Sequence, residues 1–298
     1  MDKMRRLWLS LIPLLFASCF GREVETLVIR GSDTEVNLVL QLAENYMDTH
    51  SGVSIAVTGG GSGTGIAALL NKKTDIANSS RSFKDSELQL AAERKLEVVP
   101  IIFALDALSF IVNENLPIEQ LSIEQLRGIY TGEISNWSEV GGPDQTISLY
   151  GRQSNSGTFT FIQTHILKGN YSPDMKQMNG TAQIIEGIKR DKAGIGYVGI
   201  GYIVNSEGQV TEGIKVLCIQ GEGQSWAVSP LEPANITNGS YQIVRPLYQY
   251  LDGAPEGIRK AFLQYELSPE GQKIISENGY YAINDTYRKK NEKYLESK

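Results

Sequence analysis

The feature that most constrains this chain is a unit that recurs along it. A short apolar stretch leads into a loop rich in serine, threonine and glycine, and a helix-like stretch follows. The apolar stretches TLVIR from Thr26 and VSIAV from Val53 lead into the loops GSDT and GGGSGTG. Further copies lead into NSSRS after Ala77 and into GRQSNSGT after Tyr150. Alternating strands and helices are typical of sheets covered by helices on both faces, which predicts an α/β fold.

The four loops mark the predicted ligand site, because ligands of open α/β sheets bind beyond the carboxyl ends of the strands. One of these loops begins near Gly59 and another near Gly151. Convergence on one ligand therefore most simply requires two lobes that face a central cleft. The linking segments of this two-segment hinge are expected at 107–113 and 241–245. The predicted lobes are residues 26–107 plus 243–298 for lobe 1, and 108–242 for lobe 2.

The loops contain the groups that bind tetrahedral oxyanions. A helix N-terminus offers unpaired backbone N–H groups and a partial positive charge. Glycine lets the backbone approach closely, hydroxyl groups add neutral donors, and arginine adds a planar fork that binds two oxygens. The candidate ligand residues from the loops are Ser32, Thr34, Ser62, Gly63, Thr64, Ser80, Arg81, Arg152, Ser154, Ser156, Gly157 and Thr158.

Helix capping is the alternative explanation of each loop. Serine, threonine and aspartate are the preferred N-cap residues, and glycine is common in turns. Capping does not explain why Arg81 and Arg152 lie beside helix starts. Four such loops at equivalent places in one pattern therefore favour a shared anion site.

The N-terminal stretch, residues 1–18, is typical of an export signal, since three basic residues precede an apolar segment that ends at Ala17. The segment is too short for a transmembrane helix. Its small residues before Cys19 resemble the lipobox of bacterial lipoproteins, in which the cysteine carries lipid, although Phe16 replaces the usual leucine. Residues 19–25 are expected to form a tether. An ordinary signal peptide cleaved nearby is the alternative.

Charge and cysteine content limit the partners. The chain has a net charge of −6, and removal of residues 1–18, with three basic residues and one acidic residue, leaves −8. Nucleic acid is therefore not expected as a partner, and an anion must be held by local dipoles and buried arginines. With Cys19 lipidated, Cys218 has no cysteine to pair with and is expected to be a buried packing residue.

The possible enzyme and cofactor motifs lack the neighbouring residues or secondary structure that they require. The only histidines, His50 and His165, lie away from the polar loops, and no spacing indicates a metal site. The loop GGGSGTG lacks the lysine of a P-loop, and GIGYVG at Gly194–Gly199 precedes an extended-looking stretch instead of the helix of a dinucleotide site. We therefore predict a binding protein that is not an enzyme and has no cofactor. A surface adhesin or sensor on the same fold stays open.

Several strings together resemble one family. In order, they are GSDT, VTGGGSGTGIAAL, DIANSSR, LRGIYTGEISNWSEVGG, GRQSNSGTFTF, GIGYVG and YQIVRPLY. This succession, over residues 26–282, resembles the phosphate-binding proteins of phosphate ABC transporters, the PstS family. The resemblance implies a two-lobed type II periplasmic-binding fold that closes on dehydrated inorganic phosphate. It further implies delivery to an ABC permease in the cytoplasmic membrane by a periplasmic, lipid-anchored monomer.

By position, the resemblance assigns the candidate ligand residues to the four phosphate loops of the family. Longer relatives carry an aspartate where Ser80 stands and another where Ser154 stands. Monohydrogen phosphate needs an acceptor for its proton and sulfate does not, so a carboxylate discriminates between them. Asp33 is the only acid in the four loops and is the predicted acceptor. Helix capping by Asp33 and binding of another oxyanion such as sulfate are the alternatives.

Overall fold

The computed structural model describes residues 24–205 and 207–296. The predicted signal peptide and Cys19 lie outside these residues. The strands of the described part are β1 Glu25–Gly31, β2 Val53–Thr58, β3 Ile76–Ser79, β4 Val98–Asn113, β5 Gln120–Ser122, β6 Ser148–Arg152, β7 Lys176–Met178, β8 Gly194–Gly199, β9 Ile214–Val216, β10 Cys218–Gln220, β11 Ala227–Val228 and β12 Val244–Asp252.

Helices alternate with the strands. The α-helices are α1 Val36–Thr49, α2 Ser62–Leu70, α3 Asp85–Glu93, α4 Ile123–Thr131, α5 Gly157–Phe161, α6 Thr181–Arg190, α7 Pro233–Thr237, α8 Gly257–Leu267, α9 Pro269–Glu277 and α10 Asp285–Leu295. Helix α5 continues as a π-helix, Ile162–Leu167, and 3-10 turns lie at Trp137–Val140 and Ile200–Tyr202. Over the described ranges, no helix has the length and apolarity needed to cross a membrane.

The main sheet has the strand order β2-β1-β3-β12-β4-β8-β6-β7, and β9 also pairs with β4. Strands β1, β2 and β3 are parallel to one another, as are β6, β7 and β8. Between these groups, β12 is antiparallel to both β3 and β4, and β4 is antiparallel to β8. The sheet is thus mixed where parallel sheets were expected, because two long strands carry the chain across its middle in opposite directions.

Strands β4 and β12 connect two hydrophobic cores. Phe103 on β4 packs in the first core with Leu247 of β12, whereas Phe110 packs in the second core with Val244. Almost every residue of β4 is buried, which is why its sequence is largely apolar. The change of core lies close to the expected linking segments. The lobe boundaries at 107/108 and 242/243 themselves stay a prediction.

The local predictions from the repeated unit are confirmed. The polar loops follow β1, β2, β3 and β6, and three of them lead directly into α1, α2 and α5. GIGYVG is strand β8, and a short 3-10 turn follows it where an extended stretch was expected. Cys218 is half-buried, so the expectation that it is buried was wrong, because alternate residues of this stretch, Leu217 and Ile219, point into the core instead.

Candidate functional site

The loops meet between the two lobes and bring hydroxyl groups together. Thr34 Oγ1, after β1, lies 3.1 Å from Thr158 Oγ1, at the start of α5. Ser62 Oγ, at the start of α2, lies 3.3 Å from Ser80 Oγ, after β3. All four residues are buried. The two members of the threonine pair come from different lobes. The arrangement concentrates hydroxyl donors at one point of the cleft.

The N-terminus of α5 approaches the serine pair closely. A Cβ atom on Gly157 would lie 2.3 Å from Ser62 Oγ and 2.5 Å from Ser80 Oγ, so only glycine fits at this position. Ser156 caps the helix, because its Oγ accepts hydrogen bonds from the Thr158 N–H at 3.2 Å and the Phe159 N–H at 3.4 Å. Since this oxygen accepts twice, the Ser156 hydroxyl hydrogen remains free to be donated to a ligand.

Arg152 is a buried cation on the lobe 2 side of the cleft. Its Nη1 donates to Asp33 Oδ2 at 3.0 Å and to Thr181 Oγ1 at 3.0 Å, and its Nη2 donates to the Asn179 carbonyl at 3.0 Å. Burial lowers the pKa of Arg152 and the Asp33 carboxylate opposes this. Its Nε is buried and finds no hydrogen-bond partner in the described part of the chain. A donor of this kind is available to an anion.

Asp33 joins the lobes and does not cap α1. Its Oδ2 accepts hydrogen bonds from Arg152 and, at 2.8 Å, from the Thr181 N–H, and both donors belong to the second lobe. The N-cap position of α1 is occupied by Glu35, which makes no capping hydrogen bond. The Tyr202 hydroxyl also donates to the Asp33 carbonyl. The carboxylate therefore bridges the two lobes, and the role of Asp33 as a proton acceptor stays a prediction.

Arg81 pairs with Glu87 in the described structure. Its Nη1 and Nη2 each donate to one oxygen of Glu87 at 2.7 Å. Burial would raise the pKa of Glu87, but the hydrogen bonds from Arg81 and from the Lys84 N–H outweigh it, and the pKa lies below its usual value. Only Nε of this buried guanidinium has no partner among the described residues. The anion-binding role of Arg81 stays a prediction.

The remaining candidates lie at different depths. Ser32 is buried, and its Oγ has no hydrogen-bond partner within residues 24–205 and 207–296. Thr64 and Ser154 are exposed. The Thr64 hydroxyl donates to the Gly60 carbonyl at 3.0 Å, and the Gly63 N–H donates across the cleft to the Asn155 carbonyl at 2.9 Å. The structure therefore places Gly63 and Thr64 at the contact between the lobes.

Sequence reasoning missed Arg245 and Asp106. The two face each other across β12 and β4, and both are buried. Arg245 Nη2 donates to Asp106 Oδ2 at 2.8 Å, to Thr158 Oγ1 at 3.0 Å and to Thr34 Oγ1 at 3.3 Å. One signal could have found them. Each is a charged residue in the interior of a largely apolar strand, and a buried charge there requires a partner of opposite sign.

Glu35 adds a buried acid beside this pair. Its side chain is fully buried, and neither carboxyl oxygen has a hydrogen-bond partner in the part of the chain that the structure describes. Burial raises the pKa of Glu35 well above its usual value, although the positive charge of Arg245 acts to lower it. Burial without a hydrogen-bond partner thus favours the neutral form of the Glu35 carboxyl group.

Comparison with known proteins identifies the family. A PBP superfamily domain model matches residues 21–270. The phosphate-binding protein PstS of Pseudomonas aeruginosa is 30% identical over 273 residues, which cover 85% of this chain and 81% of that protein. PstS of Borreliella burgdorferi is 28% identical over 293 residues, which cover 95% and 99%.

Solved structures agree with the sequence relatives. A structure of a phosphate ABC transporter substrate-binding protein from Clostridium perfringens, with bound phosphate, matches with a TM-score of 0.76 and 25% identity. The match covers 87% of this chain and 100% of that one. An ABC-type phosphate transport receptor from Vibrio cholerae matches with a TM-score of 0.67 and 28% identity, over 86% and 100%. The chain therefore belongs to the PBP superfamily and, within it, to the PstS family with its two-lobed type II periplasmic-binding fold.

Proposed function

We propose that this protein binds inorganic phosphate between its lobes and delivers it to an ABC importer. The observation that carries the proposal is the convergence of hydroxyl donors from both lobes beside the buried Arg152. These groups are donors that suit a tetrahedral oxyanion, and they lie at one point of an otherwise acidic protein. Membership of the PstS family supports the same function.

Each part of the site has a distinct role in the proposed complex. The Thr34, Ser62 and Ser80 hydroxyls hold phosphate from lobe 1, and Ser156 with the Gly157 and Thr158 end of α5 holds it from lobe 2. The backbone N–H groups at the start of a helix favour an anion there, and α5 is extended by the π-helix that continues it. Arg152 supplies the balancing positive charge.

Selectivity rests on Asp33 in this proposal. The proton of monohydrogen phosphate is donated to Asp33 Oδ1, while Oδ2 stays with Arg152 and Thr181. Sulfate brings no proton, so its oxygens would face an uncompensated carboxylate. This role is compatible with serine at positions 80 and 154, because Asp33 then provides the acid within the four loops.

Closure follows from contacts that cross the cleft. Asp33 with Arg152, the Gly63 N–H with the Asn155 carbonyl, and Asn155 Nδ2 with the Gly60 carbonyl at 3.0 Å all join opposite lobes. We infer that they form as the lobes rotate about β4 and β12 and that phosphate completes them. The ligand is bound and released without chemical change.

The setting of the protein is also part of the proposal. We infer export through residues 1–18, lipid anchoring of a monomer through Cys19, and recognition of the closed form by a permease in the cytoplasmic membrane. The signal-like N-terminus supports the first two steps, and membership of a family of transporter binding proteins supports the third.

Calorimetric titration with phosphate, then with sulfate, tests the function. We expect wild type to bind phosphate and Arg152→Ala to lose at least about 100-fold in affinity, because a buried charged hydrogen-bond donor is removed. Arg190→Ala is the matched control, since the side chain of Arg190 is 84% exposed and lies far along α6. If phosphate produces no heat and no thermal shift in wild type, the assignment is wrong.

A further inference from the structure

We propose that Arg245 is a positioning residue of the phosphate site, which fixes one threonine hydroxyl from each lobe so that both donate to the bound anion. The inference rests on the proposed function and extends it to the strands that connect the lobes. Arg245 lies outside the four polar loops, on β12. Its role is carried by Thr34 and Thr158.

The guanidinium of Arg245 is held rigidly. Its Nε and Nη2 both donate to Asp106 Oδ2, at 3.0 and 2.8 Å, and the Ile200 N–H donates to Asp106 Oδ1 at 3.2 Å. Arg245 is 1% exposed and Asp106 is 0% exposed. A Cβ atom on Gly199 would lie 2.9 Å from Asp106 Oδ1, so this corner is packed without spare room. The planar group therefore presents Nη2 to the threonines in one orientation.

The hydrogen-bond inventory then decides the direction of the threonine hydroxyls. Arginine has donors and no acceptor, and one Nη2 hydrogen points to Asp106, so Thr34 Oγ1 and Thr158 Oγ1 can only accept from Nη2 by sharing its other hydrogen. Each threonine hydrogen is thus directed elsewhere. With the two oxygens 3.1 Å apart, one hydroxyl can donate to the other until an anion takes both hydrogens. The adjacent positive charge also strengthens both O–H donors.

The contact also depends on closure. Thr34 is held in lobe 1, where its carbonyl accepts a hydrogen bond from the Tyr280 hydroxyl at 2.6 Å, and Thr158 is held in lobe 2 by the Ser156 cap. Arg245 stays paired with Asp106 on the connecting strands. It can therefore hold both hydroxyls only when the lobes are together, and it favours the closed form in which phosphate is bound.

A double-mutant cycle tests the role. Phosphate titrations compare wild type, Arg245→Gln, Thr158→Val and the double variant, all in the full chain. We expect each single variant to lose at least about tenfold in affinity. The double variant should lose little more than the larger single loss, because both changes remove one interaction. The proposal would be overturned if the double variant lost affinity by the product of the two single losses. It would also be overturned if Arg245→Gln bound phosphate like wild type.

Two further variants separate positioning from folding. Arg245→Lys keeps a charge for Asp106 but lacks the planar fork, so we expect its phosphate-free melting temperature to stay closer to wild type than that of Arg245→Gln while affinity still falls at least about fivefold. If Arg245→Gln does not fold, the cycle is run with Arg245→Lys. Arg127→Gln, which removes a lobe 2 ion pair with Glu222, should leave phosphate affinity unchanged. Wild type that fails to bind phosphate would sink the proposed function itself.

Discussion

Two arginine–aspartate pairs lie at the cleft and differ in what they connect. Arg152 and Asp33 come from opposite lobes, with Nη1 and Oδ2 3.0 Å apart. Arg245 and Asp106 lie opposite each other on the two strands that run between the cores, with Nη2 and Oδ2 2.8 Å apart. The proposed opening of the lobes would separate the first pair and leave the second intact. The same chemistry thus serves closure in one place and permanent architecture in the other.

Stability measurements should show the largest difference between the pairs. Asp106→Ala leaves a fully buried guanidinium unpaired, so we expect a loss of about 3–5 kcal/mol in the free energy of unfolding. Asp33→Ala should cost about 1 kcal/mol, because without phosphate the proposed lobe opening already separates Arg152 from Asp33, whose side chain is 21% exposed. Urea unfolding without phosphate measures both, and equal losses would contradict the distinction.

Anion selectivity should depend more on Asp33 than on Asp106, which is the reverse of their ranking in stability. Asp33→Asn removes the proposed proton acceptor, so we expect sulfate affinity to rise at least about tenfold relative to phosphate affinity. Asp106→Asn should leave that ratio unchanged, because Asp106 contacts Arg245 and the Ile200 N–H instead of the ligand. Paired titrations with both anions measure the ratio. An unchanged ratio in Asp33→Asn would remove Asp33 from the selectivity argument.

The pH dependence of stability tests the raised pKa of the buried Glu35 carboxyl group. Because burial raises the pKa of Glu35 in the folded protein, the unfolded chain releases this proton first, above about pH 4.3. Stability then falls as the pH rises towards the raised pKa. Glu35→Gln should flatten this fall, whereas Glu277→Gln on the exposed face of α9 should not. Urea unfolding from pH 4 to 8 gives the slopes, and parallel slopes would show that Glu35 is ionised.

Substitution of Arg81 should cause the smallest loss of phosphate affinity. Both of its Nη groups are committed to Glu87, so Arg81→Gln should weaken phosphate binding by less than about threefold, compared with the much larger loss in Arg152→Ala. Titration of the two variants side by side measures the ratio. A loss comparable with that of Arg152→Ala would instead place Arg81 among the ligand residues through its Nε.

The sequence predicted the parts of the site that depend on local pattern. Loops at the ends of β1, β2, β3 and β6 had to meet once the strands lay in one α/β arrangement. The pairing of Arg245 with Asp106 joins residues 139 positions apart, and no local rule connects them. The partner of Arg81 could have been predicted from the local sequence, because Glu87 follows in the first turn of α3 with the spacing of a capping box.

The central place of β12 in the sheet has a consequence for how the protein is made. This strand lies between β3 and β4, although it is the last strand among the residues that the structure describes. The sheet of the first lobe therefore lacks an interior strand until residues 244–252 have emerged from the machinery that produces or translocates the chain. The second lobe meets no such delay, so we expect the middle of the polypeptide to acquire its native form before the beginning does.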